Sequence, residues 1–503
     1  MTAAFLAVTG LMVFYGEKES SLRERFYREL VREQAAAGEN TGEAGDSMGV
    51  SDAADGGRED DRTGKEGEQE EKTAETGDGS ERAAEVSGGY QIPGQVKVLL
   101  MDEGFQSYEH RSVKVQGNVP LQVTGDVQME VPAGEPLEIS ALLDEGQSAR
   151  ITVEQEEGRI SLLSLERSQG IPAYQGTLTV INRGGSFLIR NQVDLETYLK
   201  YVVPSEMPAG YPQEALRAQA VCARTYAVRQ MQERRLTGYG ADVDDSVSFQ
   251  VYNNIGRQEA ADEAVDSTRG VIMTYQGQPI QAYFFSTSCG HTSTDEVWGA
   301  ESASPYLRSV EVARQAVEPE ALETAAVGGG LSQEKDFRDF ISQIQEEDFE
   351  KEDVWYRWQV TLPLSWLQEA ADRTCPEIGG LTALSVLERS GGGAVTKLEI
   401  TGNAGSHILD DEYAIREFLS PGDIPVRCND GSESTSMEIL PSAYFFCDPV
   451  YEGETLTGYS FQGGGYGHGV GMSQNGAKAL AQAGKSWEEI LEVFYQNIQF
   501  SCD

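Results

Sequence analysis

The sequence predicts an α+β protein, in which a β-rich N-terminal domain at residues 89–190 is joined to a mixed α/β body at residues 191–503. The chain has 503 residues, more than one hydrophobic core usually serves. Short alternating runs such as "RSVKVQG" and "GTLTVINR", separated by Gly, Asn and Pro, precede residue 190. After that residue the apolar positions recur at three and four, as in a helix, and a section of mixed pattern at about 310–445 is interpreted as an insertion.

The N-terminus predicts a membrane anchor followed by an acidic linker. Residues 1–16 begin with the uncharged stretch "MTAAFLAVTGLMVFY", which is interpreted as a membrane anchor or signal segment, with a packed helix as the alternative. A full span needs about 20 residues, so a start site assigned too late would explain the short length. Residues 17–88 are predicted to form a juxtamembrane helix and a disordered linker, since residues 39–85 hold 16 acidic and 5 basic side chains. The body would then be extracytoplasmic and anchored to the cell membrane.

The composition limits the classes of molecule that the chain is expected to bind. The chain has 82 acidic and 39 basic residues, a formal charge of -43, which disfavours nucleic acid and other polyanions as partners. About -32 of this charge lies outside the linker, so the globular part is acidic too. The six cysteines contain no CxxC pair, which excludes the usual zinc-finger and redox motifs. A bridge between Cys428 and Cys447 stays open, because spacing alone does not decide the pairing.

Local signals place several elements of the body. Asp194 is the predicted N-cap of a helix in "DLETYLKYVV", and a second helix of about 24 residues is predicted from Pro212. Residues 271–288 are predicted to form a hairpin around "QGQP". At the C-terminus a glycine-rich loop leads into two short helices; Ser473 is the predicted cap of the first and Gly484 its end, and a capping box, Ser486 with Glu489, is predicted to start the second.

Glu206 is the strongest single candidate for chemistry. It lies between Pro204 and Pro208, in a predicted loop between the two helices, among apolar neighbours and with no Lys or Arg within several residues. A carboxyl group that is desolvated without a nearby cation has a raised pKa and suits general acid catalysis. The alternative is a surface glutamate in a proline loop.

Other polar groups accompany Glu206. The long helix contributes five candidate substrate-binding residues, with a solvated or capping polar face as the alternative: Arg217, Gln219, Arg224, Thr225 and Tyr226. The segment "STSCGHTSTDEVWG" adds the candidates Ser286, Ser288 and His291. Cys289 and His291 alternate as on one side of a strand and are candidate zinc ligands, although a hydrogen-bonded histidine beside a free thiol explains them equally.

The glycine-rich segment "GGGYGHGVGMSQNGA" offers three further candidate binding residues, His468, Ser473 and Gln474. It is neither a Walker A motif nor a dinucleotide fingerprint, because the required lysine and βαβ context are missing. Its glycines permit close backbone approach to a ligand or to another segment, and a structural turn is the alternative. A Ser-His-Asp hydrolase is poorly supported, since the chain has four histidines and no G-x-S-x-G elbow.

Three blocks of the body follow one another between about residues 188 and 503: "YVVPSEMPAGYPQEALRAQAVCARTYAVR", "STRGVIMTYQGQPIQAYFFSTSCGHTSTDEVWG" and "GGYGHGVGMSQNGAKALAQAGKSWEEILEVFY". In this order they resemble the stage II sporulation protein D family, which includes the amidase-enhancer proteins of bacterial cell walls. The resemblance implies a peptidoglycan lytic transglycosylase in which Glu206 is the single catalytic acid and base. The muramic acid 6-hydroxyl closes on its own sugar, so no second carboxylate is needed, unlike in ordinary glycosidases.

The resemblance also implies partners and a setting. The substrate is glycan stripped of stem peptides, and the partners are a sporulation amidase and endopeptidase and a membrane scaffold protein at the engulfing septum. Some members hold zinc near the "STS" segment, which makes zinc a candidate cofactor and Cys289 and His291 candidate metal ligands by analogy. This chain departs from the family in carrying Cys289 where many relatives have Gly, and in its long acidic linker. The alternative hypotheses are that the protein is a non-catalytic amidase enhancer that docks on the wall, or a metal-dependent hydrolase.

Overall fold

A computed structural model describes residues 90–502, apart from residues 156, 168–169, 247, 255, 301 and 314–329. The predicted anchor at residues 1–16 and the predicted linker at residues 17–88 lie outside the described residues. In the described ranges, no helix combines the length and apolar character needed to cross a bilayer. The prediction of a mixed α+β protein is confirmed by the many strands and eight helices in these ranges.

Ten strands build the N-terminal part, as the alternating runs predicted. In β9, for example, Leu178 and Val180 are fully buried while the positions between them are half-exposed. The strands are β1 Gln95–Leu100, β2 Lys114–Gly117, β3 Leu121–Gly125, β4 Met129–Val131, β5 Pro136–Glu138, β6 Ser148–Val153, β7 Ile160–Leu162, β8 Ala173–Tyr174, β9 Thr177–Asn182 and β10 Phe187–Asp194. They form a four-stranded sheet, β5-β2-β7-β8, and most of a seven-stranded sheet, β11-β1-β10-β9-β6-β3-β4, to which the body contributes β11 Val243–Asp244.

The helices are α1 Leu195–Glu206, α2 Gln213–Glu233, α3 Glu259–Ser267, α4 Glu334–Ile341, α5 Leu364–Thr374, α6 Glu412–Phe418, α7 Gln474–Gln482 and α8 Trp487–Phe494. The predicted cap of α1 is confirmed, because the Asp194 side chain accepts a hydrogen bond from the Thr197 backbone N–H. Glu206 was predicted in a loop, which is wrong, since α1 continues through Pro204 and ends at Glu206. Burial of Val203 and Pro204 in the core accompanies the last turn, where a proline removes one helical hydrogen bond.

The remaining predicted helices are close to their expected bounds. Pro212 is the N-cap of α2, which has 21 residues and ends where Arg234 adopts a left-handed conformation, with φ 55°. Ser473 caps α7 by accepting from the Gly476 N–H, and the capping box of Ser486 with Glu489 starts α8. These caps are therefore confirmed.

The other strands are β12 Val271–Tyr275, β13 Gln278–Pro279, β14 Phe284–Phe285, β15 Trp358–Pro363, β16 Leu381–Arg389, β17 Val395–Gly402, β18 Ser406–Leu409, β19 Val426–Cys428, β20 Glu433–Ser434, β21 Phe445–Glu452, β22 Thr455–Gly463, β23 Met472–Ser473 and β24 Gln499–Cys502. The hairpin predicted at residues 271–288 is right only around its turn, where β12 pairs with the short β13. The chain then leaves this sheet, and Phe284 and Phe285 pair in parallel with Met472 and Ser473 instead. This pairing brings the "STS" segment against the glycine-rich loop.

Two hydrophobic cores hold these elements. The first unites residues on both sides of residue 190, among them Val96, Tyr198, Leu216 and Phe494. The second packs α5 against the five-stranded sheet β20-β19-β15-β22-β21 and the three-stranded sheet β16-β17-β18, and it contains residues from Trp355 to Phe461. The domain boundaries stay a prediction. All six cysteines are free thiols, so Cys428 and Cys447 are not bridged.

Candidate functional site

Glu206 lies at the last position of α1, half-buried, and contacts two distant parts of the chain. Its Oε1 accepts a hydrogen bond of 2.8 Å from the backbone N–H of Val251. Its backbone carbonyl accepts one of 3.0 Å from Nε2 of Gln474, the first residue of α7. The carboxyl group is therefore oriented by the protein and lies beside the glycine-rich C-terminal segment.

The backbone around Val251 is anchored on both sides. The Tyr252 ring packs among other tyrosines, with its centroid 4.9 Å from that of Tyr198, and its hydroxyl donates to Asn191 Oδ1 at 2.9 Å. On the other side, Gln250 Nε2 donates to the Ala223 carbonyl at 3.1 Å. Because both neighbours are buried and bonded, the Val251 N–H points at Glu206 without rearrangement. Sequence reasoning missed this loop, whose only signal is an apolar and aromatic run in a polar stretch.

Two amide side chains that the sequence singled out meet at Glu206. Nε2 of Gln474 lies 3.5 Å from Oε1 of Gln219, a fully buried residue of α2. The Nε2 atom of Gln219 is buried and has no hydrogen-bond partner among the described residues. A buried amide without a partner is costly, so such groups tend to mark a place where another molecule or water binds. Residues 206, 219 and 474 thus form one polar site.

Asn475 joins the "STS" segment to this site. Its backbone N–H donates to the Ser286 carbonyl at 3.0 Å, and its side-chain Nδ2 donates to Thr287 Oγ1 at 2.9 Å. Its Oδ1 accepts from the hydroxyl of Tyr211 at 2.6 Å, in the segment between α1 and α2. Ser286 is half-buried, and its role as a substrate contact stays a prediction. Sequence reasoning missed Tyr211 and Asn475.

A second carboxyl group, that of Glu350, is buried where the "STS" segment meets the start of α7. Its Oε1 accepts from the Ser288 N–H at 2.9 Å and from Ser473 Oγ at 2.6 Å, and its Oε2 accepts from Ser288 Oγ. Burial raises the pKa of Glu350 to about 7, against the opposing effect of these hydrogen bonds. Its surroundings, "QEEDFEKED", have the composition of a solvated acidic run, so no sequence signal distinguishes it.

Three candidate binding residues on α2 are buried in the structure. Arg224 is fully buried and makes a two-pronged ion pair with Glu196, with N–O distances of 2.8 and 2.6 Å. Thr225 donates to the Val221 carbonyl at 2.7 Å and accepts from the Met273 N–H at 3.0 Å. Tyr226 is also fully buried. These side chains face the core, where they stabilise the fold, and their role in substrate binding stays a prediction.

Arg217 is half-buried on the same face of α2 as Arg224, two turns earlier. Its guanidinium pairs with Glu214 at 2.5 Å, and its Nε donates to Ser267 Oγ, in α3, at 3.0 Å. Among the described residues it pairs with acidic and hydroxyl groups of α2 and α3, and its role as a substrate contact stays a prediction.

The glycine-rich segment serves close packing between chain segments. Gly471 has φ +75°, and a Cβ atom there would lie 2.0 Å from the Tyr283 carbonyl oxygen, so only glycine fits. His468 is 3% exposed; its Nδ1 accepts from the Val470 N–H and its Nε2 donates to the Phe284 carbonyl, each at 3.1 Å. His468 and Ser473 are both buried and bonded internally, and their role as ligand contacts stays a prediction. Ser288 is buried and bonded to Glu350, and its role also stays a prediction.

The "STS" segment does not fit a zinc centre. The Cys289 sulfur is buried 3.8 Å from the His291 carbonyl oxygen, and burial raises the pKa of its thiol to about 12. The pKa of His291 is lowered to about 4 by burial and by the charge of Arg357. No group of three or more His, Cys, Asp or Glu side chains suited to a metal ion occurs in the part of the chain that the structure describes. Two donors do not complete a zinc centre, which takes at least three protein ligands.

The fold and the site define an α+β protein with one oriented glutamate beside Gln474, whose amide nitrogen also lies near Gln219. A family model described as stage II sporulation protein matches residues 183–275, and one described as a domain of unknown function matches residues 292–471. Stage II sporulation protein D of Bacillus subtilis is 31% identical over 323 residues, which cover 61% of this chain and 75% of that protein. The chain belongs to the stage II sporulation protein D family.

Two further relatives support this placement. The amidase enhancer of Bacillus subtilis is 28% identical over 310 residues, which cover 59% of this chain and 39% of that longer protein. An uncharacterized protein of Brachyspira hyodysenteriae is 28% identical over 327 residues, covering 65% of this chain and 71% of that protein. The chain thus spans well under half of the amidase enhancer and about three quarters of the sporulation protein.

Proposed function

We propose that this chain is a peptidoglycan lytic transglycosylase in which Glu206 is the single acid and base. The observation that carries the proposal is the contact of Glu206 with two distant parts of the chain. The backbone N–H of Val251 orients its carboxyl group, and Gln474 bonds its backbone carbonyl and also approaches Gln219. One carboxyl group suffices when the nucleophile belongs to the substrate.

The reaction has two proton transfers at Glu206. The protonated carboxyl group gives its proton to the oxygen between N-acetylmuramic acid and N-acetylglucosamine as the C1–O bond breaks. The resulting carboxylate then takes the proton of the muramic acid 6-hydroxyl, whose oxygen attacks C1 of the same sugar. The products are a free 4-hydroxyl on N-acetylglucosamine and a 1,6-anhydro ring, and no water is consumed. Gln219 and Gln474 offer amide groups to the hydroxyl and acetamido groups of the sugars.

The setting of the proposal comes from the relatives. We propose that the chain acts on glycan strands freed of stem peptides, since this removes carboxylates that a chain of net charge -43 would repel. The names of its relatives support a role in sporulation, and we propose that this role is at the septum during engulfment. A sporulation amidase and endopeptidase, which would strip the strands, and a membrane scaffold protein are the proposed partners. The proposed location is extracytoplasmic, with the N-terminus anchored in the cell membrane.

The test is digestion of peptide-free glycan strands by the purified protein, with mass spectrometry of the products. We expect 1,6-anhydro ends with the wild type and a loss of at least about 100-fold in their rate with Glu206→Gln, which cannot donate or accept this proton. Glu259→Gln, at an exposed glutamate that begins α3, is the matched control and should retain activity. Full activity of Glu206→Gln would contradict the assignment of Glu206.

The alternative is a non-catalytic amidase enhancer that binds the wall, which the name of one relative supports. In that case the wild type yields no anhydro ends but raises the rate at which an added amidase releases stem peptides. Hydrated reducing ends that disappear with a chelator would instead indicate a metal-dependent hydrolase.

A further inference from the structure

We infer that Glu350 is a positioning residue that sets the start of α7 and thereby the place of Gln474 beside Glu206. The inference rests on the proposed function and assigns a role to one residue of the region that matches a domain of unknown function. Among the described residues, Glu350 is hydrogen-bonded to Ser288 and Ser473 and not directly to Glu206 or Gln474. It acts through Ser473, the residue that directly precedes Gln474 in sequence.

The hydroxyl of Ser473 has one proton and two lone pairs, and its hydrogen bond to Glu350 fixes the directions in which they point. The proton goes to Oε1 of Glu350 at 2.6 Å. The lone pairs of Ser473 Oγ then face the N–H groups of Gly476 at 3.1 Å and of Ser288 at 3.2 Å. A serine hydroxyl that donates to a fixed acceptor is held in the orientation that an N-cap needs. Glu350 therefore fixes the cap of α7.

Glu350 fixes the "STS" segment from the same point. It accepts from both the backbone N–H and the hydroxyl of Ser288, and that hydroxyl in turn accepts from the Gly290 N–H at 3.0 Å. One buried carboxyl group thus joins two of the three blocks that define the family resemblance. The third block is reached through Gln474, which donates to the Glu206 carbonyl.

The segment that carries Glu350 is itself tied to the glycine-rich loop and to α7. Asp353 pairs with Lys478, in the second turn of α7, at 2.8 Å. The Trp355 carbonyl accepts from the Gly465 N–H at 2.8 Å, and the Trp358 indole N–H donates to the Gly465 carbonyl at 3.2 Å. The segment that carries the Glu350 carboxyl group therefore makes further contacts with the glycine-rich loop and with α7.

Close packing explains why a glycine follows at the third position of α7. A Cβ atom at Gly476 would lie 3.2 Å from Oε2 of Glu350 and 3.0 Å from the Phe494 ring. The N-terminal end of a helix also attracts negative charge, because its first N–H groups have no partner within the helix. A carboxyl group at this point satisfies such groups through Ser473, whereas an apolar residue would leave the hydroxyls of Ser288 and Ser473 without their acceptor.

The test compares Glu350→Ala, Glu350→Gln and the control Glu346→Ala, at a 93% exposed glutamate of the same segment. We expect Glu350→Ala to lower kcat for 1,6-anhydro product by about 100-fold with KM nearly unchanged, because a small displacement of Gln474 misplaces a group at Glu206 without removing a substrate contact. Glu350→Gln keeps an acceptor for Ser473 and should stay within about threefold of the wild type. Glu346→Ala should match the wild type.

Amide hydrogen exchange of residues 474–476 gives a readout that does not depend on activity. We expect exchange there to be about tenfold faster in Glu350→Ala, as for the loss of about 1.4 kcal/mol of local stability, and unchanged in Glu350→Gln. Equal exchange and equal kcat in Glu350→Ala and the wild type would overturn the inference, as would a fall in kcat that follows only the unfolded fraction measured by circular dichroism. If the wild type makes no anhydro ends, the proposed function fails while the exchange comparison still decides the role of Glu350.

Discussion

The ionisation of Glu350 should make the free energy of unfolding depend on pH, and the substitution Glu350→Gln should remove this dependence. Burial raises its pKa from 4.5 to about 7, so the folded protein holds this proton more tightly than the unfolded chain does. Protonation of Glu350 therefore adds most to the free energy of unfolding below a pH of about 4.5. This contribution is lost as the pH rises to about 7. A difference of roughly 2.5 pKa units corresponds to about 3 kcal/mol at most.

The assay is urea unfolding of the wild type and Glu350→Gln at pH 5, 6, 7 and 8, followed by tryptophan fluorescence and circular dichroism together. Glutamine has nearly the shape of a protonated glutamic acid and does not titrate. We expect the stability of the variant, relative to the wild type, to rise by up to about 3 kcal/mol between pH 5 and pH 8.

Other titrating groups are shared by both proteins and cancel in the comparison. Burial raises the pKa of Asp244 to about 6, which has the same sign as the effect of Glu350. Burial lowers the pKa of His291 to about 4, which instead costs stability as the pH falls below 6.5. Parallel curves for the wild type and Glu350→Gln across this range would refute the reasoning, because they would mean that the carboxyl group is not desolvated.

The remaining predictions concern stability and are measured by urea unfolding. Arg224→Ala leaves the buried Glu196 carboxylate without its partner and should cost about 3–5 kcal/mol, whereas Arg229→Ala, at a partly exposed i,i+4 pair, should cost less than about 1 kcal/mol; equal losses would contradict the buried pair. Gly471→Ala should cost about 2–4 kcal/mol, because its Cβ would meet the Tyr283 carbonyl at 2.0 Å. Gly484→Ala, where φ is +92° but the space is open, should cost only about 1 kcal/mol, and a similar loss at both sites would rule out the steric argument.

Features that depend on a few neighbouring residues were determined by the sequence alone. Asp194, Ser473 and Ser486 were predicted as helix caps and act as caps, because a cap bonds a backbone group two or three residues away. The alternating runs before residue 190 were predicted as strands for a similar reason, since burial on one face imposes a period of two. The blocks around Glu206 and Gln474 also indicated, by resemblance, which residues to expect at one site.

The tertiary structure decided which polar side chains face a site and which face the core. Arg224 and Gln219 lie five positions apart on one helix, yet Arg224 is buried in an ion pair with Glu196. The amide nitrogen of Gln219, in contrast, has no hydrogen-bond partner among the described residues. Glu350 looks like part of an acidic surface run and is buried, since its partners lie 62 and 123 positions away in the chain. Solvation and pKa depend on such distant contacts, and a pattern of near neighbours carries no record of them.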